Sequence, residues 1–176
     1  GSKSKAGESN GNENHQGPIF RTSDRRARAE SWNTIDMNVL LAGGAGFIGT
    51  HTAAELLIAG HEVFVIDNLS NSYKSSLDGP EKLSKKKMVF HEADLRDFQS
   101  ILRFSRDKRI DAIIHLAGYK SVGESVLDPV AYFDNNLIPT INLCKLVEEL
   151  QVKSFLFSSS ATVYGNPLKM PIDEDF

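Results

Sequence analysis

Apolar runs alternate with stretches of helical periodicity from Met37 onwards. The apolar runs, such as EVFVI at 62–66, have the length and composition of buried strands, whereas the longer stretches repeat their apolar residues at helical spacing. The pattern predicts strands at 38–42, 62–66, 88–91, 111–116 and 153–157, and helices at 47–59, 80–84, 97–106 and 129–150.

This alternation of strands and helices is typical of a parallel sheet built from βαβ units. Because the strands are apolar throughout, we expect helices to cover both faces of the sheet. The sequence therefore predicts an α/β fold with a doubly wound, Rossmann-like parallel sheet, whose ligands lie beyond the carboxyl ends of the strands. The pattern stops after the fifth strand, which indicates a sheet truncated there with an open apolar edge.

The first 36 residues differ in composition from the rest of the chain. They are rich in Gly, Ser, Asn, Lys and Glu and hold few large apolar residues, so they cannot bury enough surface to offset the entropy lost on ordering. We expect a disordered tail at 1–36 and one domain at 37–176. A targeting or docking segment is the alternative interpretation of the tail.

Composition and charge narrow the class of protein. The chain is 40% hydrophobic and 24% charged with a net charge of −3, so we expect a cytoplasmic protein that binds no nucleic acid. No apolar run approaches the roughly 20 residues of a membrane helix, and the histidines are not grouped at metal-ligand spacing. The single cysteine, Cys144, excludes an intramolecular disulfide and is expected in the core.

The most informative motif is the glycine-rich turn after the first strand. Gly43, Gly46 and Gly49 are spaced G-x-x-G-x-x-G between a predicted strand and a predicted helix. Glycines there allow a tight turn and close approach of a pyrophosphate to the helix N-terminus. The alternative is a glycine-rich turn without a ligand.

Two acids follow the second and third strands. Asp67 lies 18 residues after Gly49, where a carboxylate accepts both ribose hydroxyls of an adenosine and repels a 2′-phosphate, which favours NAD over NADP. Asp94 could accept a hydrogen bond from the adenine amino group. For both acids a turn-capping role is the alternative.

Five segments together resemble one enzyme family. GGAGFIG at 43–49, DNLSNS at 67–72, HLAGYKSVGES at 115–125, DNN at 134–136 and FSSSATVYG at 157–165 are similar to the UDP-glucose 4-epimerases of the extended short-chain dehydrogenase/reductase superfamily. The resemblance implies tightly bound NAD and a UDP-sugar substrate, UDP-glucose or UDP-galactose. It also implies that a tyrosine takes the proton of the sugar 4-hydroxyl while hydride passes from C4 to the nicotinamide.

The same resemblance assigns individual residues. At the pyrophosphate it implies Gly43, Gly46, Phe47, Ile48 and Gly49, and around the adenosine Asp67, Asn68, Asn71, Ser72, Asp94 and Leu95. Near the nicotinamide half it implies Leu116, Ala117, Gly118, Lys120, Asn135 and Ser158. It implies catalytic hydroxyls at the sugar from Ser160 and Thr162.

The acid–base pair of the family, Tyr-x-x-x-Lys, does not occur in this sequence. The residues four positions after the four tyrosines are Leu77, Gly123, Asn136 and Leu168. We therefore expect the pair and a substrate domain to lie beyond this chain, which alone should be inactive. The alternatives are a non-catalytic, regulatory NAD-binding domain and a related 4-epimerase of UDP-pentoses or UDP-uronates. The resemblance also implies a homodimer formed through the long helix.

Overall fold

A five-stranded parallel sheet organises the residues described by this computed structural model, 36–166 and 169–173. The strand order is β3-β2-β1-β4-β5. The strands are β1 Asn38–Ala42, β2 Glu62–Asp67, β3 Val89–Glu92, β4 Ala112–His115 and β5 Ser154–Phe157. This order confirms the predicted doubly wound, Rossmann-like α/β fold, and β5 forms an edge of the described sheet.

The helices connect successive strands. They are α1 Phe47–Ala59, α2 Asp78–Ser84, α3 Phe98–Ser105, α4 Val122–Leu127 and α5 Pro129–Leu150, with 3-10 turns at Lys74–Leu77 and Ala161–Tyr164. The bounds of α1 and α5 are those predicted. Helix α4 was missed because none of its six residues is buried, so it carries no apolar stripe that a sequence pattern could detect.

The hydrophobic core lies in two layers, one on each face of the sheet. Strand β1 supplies both, because successive side chains of a strand point to opposite faces. Leu40 and Ala42 pack in the layer that includes residues of α3 and α5, whereas Val39 and Leu41 pack with residues of α1. Each buried leucine contributes about 1.5–3 kcal/mol, and the core therefore holds β1 rigidly at the centre of the sheet.

Backbone hydrogen bonds continue the sheet past the carboxyl ends of its strands. Gly43 N donates to Ile66 O at 2.8 Å, Ala93 N to Asp67 O at 3.1 Å, and Ser158 N to His115 O at 3.0 Å. The loops that leave adjacent strands are thus held side by side. This edge of the sheet is where the sequence predicts the ligand.

The prediction that Cys144 packs in the core is wrong, because this residue is exposed on α5. The buried face of α5 includes Leu143 and Leu146. A neighbouring position on a helix is rotated by about 100°, so Cys144 lies off that face.

Two other predictions concern the N-terminal tail and membrane-spanning helices. The predicted tail at 1–36 lies outside the described residues, apart from Asp36. Within the described ranges, no helix combines the length and the apolar character needed to cross a membrane.

Candidate functional site

A cleft opens beyond the carboxyl ends of β1 to β4. It holds roughly 690 Å³ of free space, counting the part open to solvent. The strand order reverses between β1 and β4, and doubly wound sheets bind their ligands at that point. The predicted cofactor residues in the lining are Gly43, Gly46, Asp67, Asn68, Asn71, Ser72, Asp94, Leu95, Leu116, Ala117, Gly118 and Asn135.

The glycine turn between β1 and α1 packs too closely against other backbone for side chains at Gly43 and Gly49. Gly43 has a φ of +84°, and a Cβ on it would lie 2.6 Å from the backbone nitrogen of Ala117. A Cβ on Gly49 would lie 2.6 Å from Gly44 Cα. A larger residue at either position would push apart the turn, α1 and the loop after β4, so these glycines set the shape of the cleft.

The N-terminus of α1 is suited to an anion. Its N-cap residue, Gly46, lines the cleft and has no side chain with which to cap the helix, and the first turn contains no acidic residue. The first backbone N–H groups of a helix lack partners within it, and the helix dipole adds partial positive charge there. Phe47 and Ile48 have exposed side chains outside the lining, so only their N–H groups could serve such an anion.

Asp67 is the buried carboxylate of the cleft. Its Oδ2 accepts a 3.0 Å hydrogen bond from Ala45 N, and its Oδ1 accepts bonds of 2.9 Å from Leu69 N and from Ser72 Oγ. Each carboxylate oxygen has about two acceptor sites. Oδ2 therefore keeps capacity for a hydroxyl donor, and the glycine turn and the loop after β2 hold the group in place.

The carboxylate of Asp94 accepts hydrogen bonds from an arginine and is therefore not a free acceptor in the cleft. Arg96 donates to it through its backbone N (2.9 Å), Nε (3.0 Å) and Nη2 (2.7 Å), and Asn68 Nδ2 adds a 3.3 Å bond. These hydrogen bonds lower the pKa of Asp94 to about 2 against the desolvation that partial burial causes. Arg96 also pairs with Asp134 on α5. An adenine amino group would have to replace the long bond from Asn68.

The loop after β4 forms the other end of the cleft. Leu116 N and Ala117 N both donate to Ala42 O, at 2.8 and 3.0 Å, so the loop lies against the end of β1. Gly118 continues the lining, whereas Lys120 is exposed and outside it.

His115, at the end of β4, is fully buried but only partly hydrogen-bonded. Thr140 Oγ1 donates its one proton to Asn136 O at 2.7 Å, so it must accept the 2.9 Å bond from His115 Nε2. Nδ1 is then a bare acceptor, without a hydrogen-bond partner among the described residues. Burial, with the nearby charge of Lys120, lowers the pKa of His115 to about 4, so this side chain is neutral at physiological pH.

The predicted catalytic hydroxyls lie outside the cleft lining. Ser160 is the N-cap of the 3-10 turn Ala161–Tyr164, and its Oγ accepts hydrogen bonds from Thr162 N at 3.3 Å and from Thr162 Oγ1 at 2.9 Å. Both side chains are exposed. Gly49 and Ser158 are also outside the lining; Ser158 reaches the loop region through its backbone bond to His115.

Four lining residues were missed from the sequence: Ser70, Ala93, Tyr119 and Pro139. Three of them neighbour predicted residues along the chain. Pro139 lies four positions after Asn135, one helical turn along the same face of α5, so helical spacing could have identified it.

The chain matches known proteins over most of its length. Residues 39–176 match the family model described as "Epimerase: NAD dependent epimerase/dehydratase family". The UDP-glucose 4-epimerase of Bacillus subtilis (strain 168) is 49% identical over 140 residues, which make up 80% of this chain and 41% of that protein. The bifunctional UDP-glucose 4-epimerase and UDP-xylose 4-epimerase 3 of Arabidopsis thaliana is 47% identical over 150 residues, 82% of this chain and 42% of that protein.

A solved structure agrees with these sequence matches. The UDP-glucose 4-epimerase from Bifidobacterium longum, crystallised in complex with NAD+ and UDP, superposes with a TM-score of 0.75 at 46% identity, covering 78% of this chain and 41% of that one. The chain thus spans about two fifths of the length of these relatives. Since the family model covers residues 39–176, this chain belongs to the NAD dependent epimerase/dehydratase family.

Proposed function

We propose that this chain forms the NAD-binding part of a UDP-sugar 4-epimerase that interconverts UDP-glucose and UDP-galactose. The observation that best supports this proposal is the cleft at the point where the strand order reverses between β1 and β4. The uncapped N-terminus of α1 and the Asp67 carboxylate meet in that cleft. Membership of the family and the NAD+ of the Bifidobacterium longum relative support this assignment. The NAD-binding domain comprises residues 37–176.

The glycine turn and Asp67 bind different parts of the dinucleotide. The backbone N–H groups of Phe47, Ile48 and Gly49 bind the pyrophosphate, because they point out of the N-terminus of α1. Asp67 accepts a hydrogen bond from a hydroxyl of the adenosine ribose through Oδ2, and its negative charge excludes a 2′-phosphate. The cleft therefore selects NAD over NADP.

The remaining cofactor contacts follow the family resemblance. Around the adenosine they are Asn68, Asn71, Ser72, Asp94 and Leu95. Near the nicotinamide half they are Leu116, Ala117, Gly118, Lys120, Asn135 and Ser158.

Ser160 acts on the sugar as a hydrogen-bond donor. Its oxygen already accepts two bonds from Thr162, so its own proton remains for an oxygen of the substrate. When bound, NAD supplies a reversible hydride acceptor for the sugar C4. The proton acceptor of the family, Tyr-x-x-x-Lys, is not in this sequence, so the 176-residue chain by itself turns over no substrate.

A UDP-pentose is the second candidate substrate. The relative from Arabidopsis thaliana, at 47% identity, is named as a UDP-xylose 4-epimerase as well as a UDP-glucose 4-epimerase. The part of the relatives that this chain does not match makes up more than half of their length, so the choice between hexose and pentose requires an assay of a completed enzyme.

A second copy of the chain is the proposed protein partner. Phe133, Leu137 and Ile141 are spaced four residues apart on α5 and are 68%, 52% and 45% exposed, so they form one apolar stripe. A homodimer through this stripe, in the cytoplasm, would cover it. Light scattering at increasing protein concentration should give twice the monomer mass, and Leu137→Glu should return the monomer.

Calorimetric titration with NAD and NADP tests the binding assignment. The wild-type chain should bind NAD more tightly than NADP. Asp67→Asn should weaken NAD binding by roughly 10–100-fold, the usual effect of losing a charged hydrogen bond. The matched control is Glu62→Gln, which removes the same charge from the exposed, opposite end of β2. No NAD binding, or equal binding by wild type and Asp67→Asn, would contradict the assignment.

A chimera tests the enzymatic assignment. Residues 37–176 would replace the matching segment of the Bacillus subtilis relative, and UDP-galactose and UDP-xylose would be offered with NAD. Turnover by the chimera, with none by the 176-residue chain, is the expected result. A chain that binds NAD but yields an inactive, folded chimera would instead favour a non-catalytic NAD-binding domain.

A further inference from the structure

The side-chain amide of Asn136 on α5 binds both the backbone N–H and the backbone C=O of one residue in the loop after β4. Its Oδ1 accepts a 2.7 Å hydrogen bond from Tyr119 N, and its Nδ2 donates a 3.0 Å bond to Tyr119 O. An amide that satisfies the N–H and C=O of the same residue fixes both the position and the rotation of that backbone. Tyr119 lines the cleft beside Gly118.

The same amide also orients a neighbouring cleft residue. Asn135 Nδ2 donates a 3.2 Å bond to Asn136 Oδ1, and Asn135 lines the cleft while Asn136 does not. One oxygen thus accepts from both the loop and the adjacent side chain. Loss of the Asn136 amide would release two parts of the cleft wall together.

The helical turn that carries Asn136 is itself anchored to the sheet. Thr140 Oγ1 donates to Asn136 O at 2.7 Å and accepts from the buried His115 Nε2 at 2.9 Å. Pro139, one residue earlier, has no N–H to donate to the carbonyl of Asn135. The helix is therefore weakened at this turn, and the link to His115 fixes the place from which the amide reaches the loop.

From these contacts we infer that Asn136 is a positioning residue for the half of the cleft formed by the loop after β4. The inference rests on the proposed function, because it gives this wall to the nicotinamide half of NAD. The sheet order puts β2 and β3 at one end of the cleft and β4 at the other, so the adenosine half lies on the side of Asp67, away from Asn136. Loss of the Asn136 amide should then weaken the binding of the complete dinucleotide but not the binding of a ligand that consists of the adenosine half alone.

The test compares NAD with AMP as probes in calorimetric titrations of the full chain. Asn136→Ala should weaken NAD binding about tenfold, as expected for two lost hydrogen bonds, and leave AMP binding within about twofold of wild type. Asn136→Asp has the same size but places a carboxylate oxygen against Tyr119 O, so it should weaken NAD binding at least as much. Retained AMP binding also shows that both variants are folded.

Asn142→Ala is the matched control on the same helix. Asn142 Nδ2 donates to Leu95 O at 2.9 Å and to Arg96 O at 3.0 Å, at the adenosine end, so NAD and AMP binding should fall together. Wild-type affinity for NAD in either Asn136 variant, or parallel loss of NAD and AMP in both, would overturn the inference. Failure of the wild-type chain to bind NAD would instead refute the proposed function.

Discussion

Acid should destabilise this fold through His115, whose pKa burial lowers to about 4. In the unfolded chain its pKa is close to 6.5, so the unfolded state binds a proton over a pH range in which the native state does not. The contribution to stability is complete above pH 6.5 and is lost as the pH falls from 6.5 towards 4. The pKa difference corresponds to about 3 kcal/mol in total, of which about 2 kcal/mol is lost by pH 5.

Urea denaturation between pH 7.5 and pH 4.5 measures this loss against a variant without the titrating group. His115→Leu fills a similar space between Phe155 and Phe157, the rings that contact the histidine. The free energy of unfolding of wild type minus that of His115→Leu should fall by about 2 kcal/mol between pH 7.5 and pH 5. His51→Gln, which removes an exposed histidine, controls for the loss of one histidine as such.

The second cause of the lowered pKa can be separated from burial. Lys120 is exposed, so its repulsion should be screened by salt, and Lys120→Gln should make the acid-induced loss smaller without abolishing it. A difference between wild type and His115→Leu that does not change with pH would refute the reasoning, because the buried ring would then not be held neutral by the fold.

Three further predictions concern packing, an ion pair and the exposed thiol. Gly49→Ala should lower the free energy of unfolding in urea by about 2 kcal/mol or more, because its Cβ would meet backbone at 2.6 Å. Gly46→Ala, whose Cβ would have its nearest contact at 3.5 Å, should change that free energy by less than about 1 kcal/mol. Equal effects of the two substitutions would contradict this packing. NMR titration should show Asp94 ionised down to about pH 2 in the wild type and titrating closer to pH 3.8 in Arg96→Gln. The ionised Asp94 stabilises the wild-type fold above pH 3.8, and this stabilisation is lost as the pH falls towards 2. An unchanged titration in Arg96→Gln would exclude Arg96 as the cause of the lowered pKa. Cys144 should react with a thiol reagent in the folded Leu137→Glu monomer as fast as in urea, whereas protection in that monomer would mean that the thiol is covered within the chain.

The strands and the two longest helices could be predicted because their signals are local. Strand β1 is a short apolar run buried in both layers of the core, and α1 ends at Gly60, whose φ of 109° is the left-handed geometry of a helix C-cap. The glycine turn and Asp67 follow directly from such elements. Their places in the cleft could therefore be predicted, because the ligands of such a sheet lie beyond the carboxyl ends of its strands.

The features that the sequence did not predict depend on contacts between distant segments. Ion pairs of Arg96 with Asp94 and with Asp134 join the loop after β3 to α5. The hydrogen bond from Tyr119 N to Asn136 joins the loop after β4 to the same helix. No local periodicity encodes which side chain of α5 meets which loop. The exposed Cys144 has a similar explanation, because an apolar residue on a helix with a broad apolar surface does not reveal which stripe is buried.

The central claim is that the cleft beyond β1 to β4 holds NAD, with its pyrophosphate on the N-terminus of α1. A crystal structure of the chain grown with NAD tests it most directly. We expect pyrophosphate oxygens within hydrogen-bond distance of the backbone N–H groups of 47–49 and the adenosine ribose on Asp67. A dinucleotide bound elsewhere, or an empty cleft in crystals grown with NAD in large excess over the chain, would contradict it.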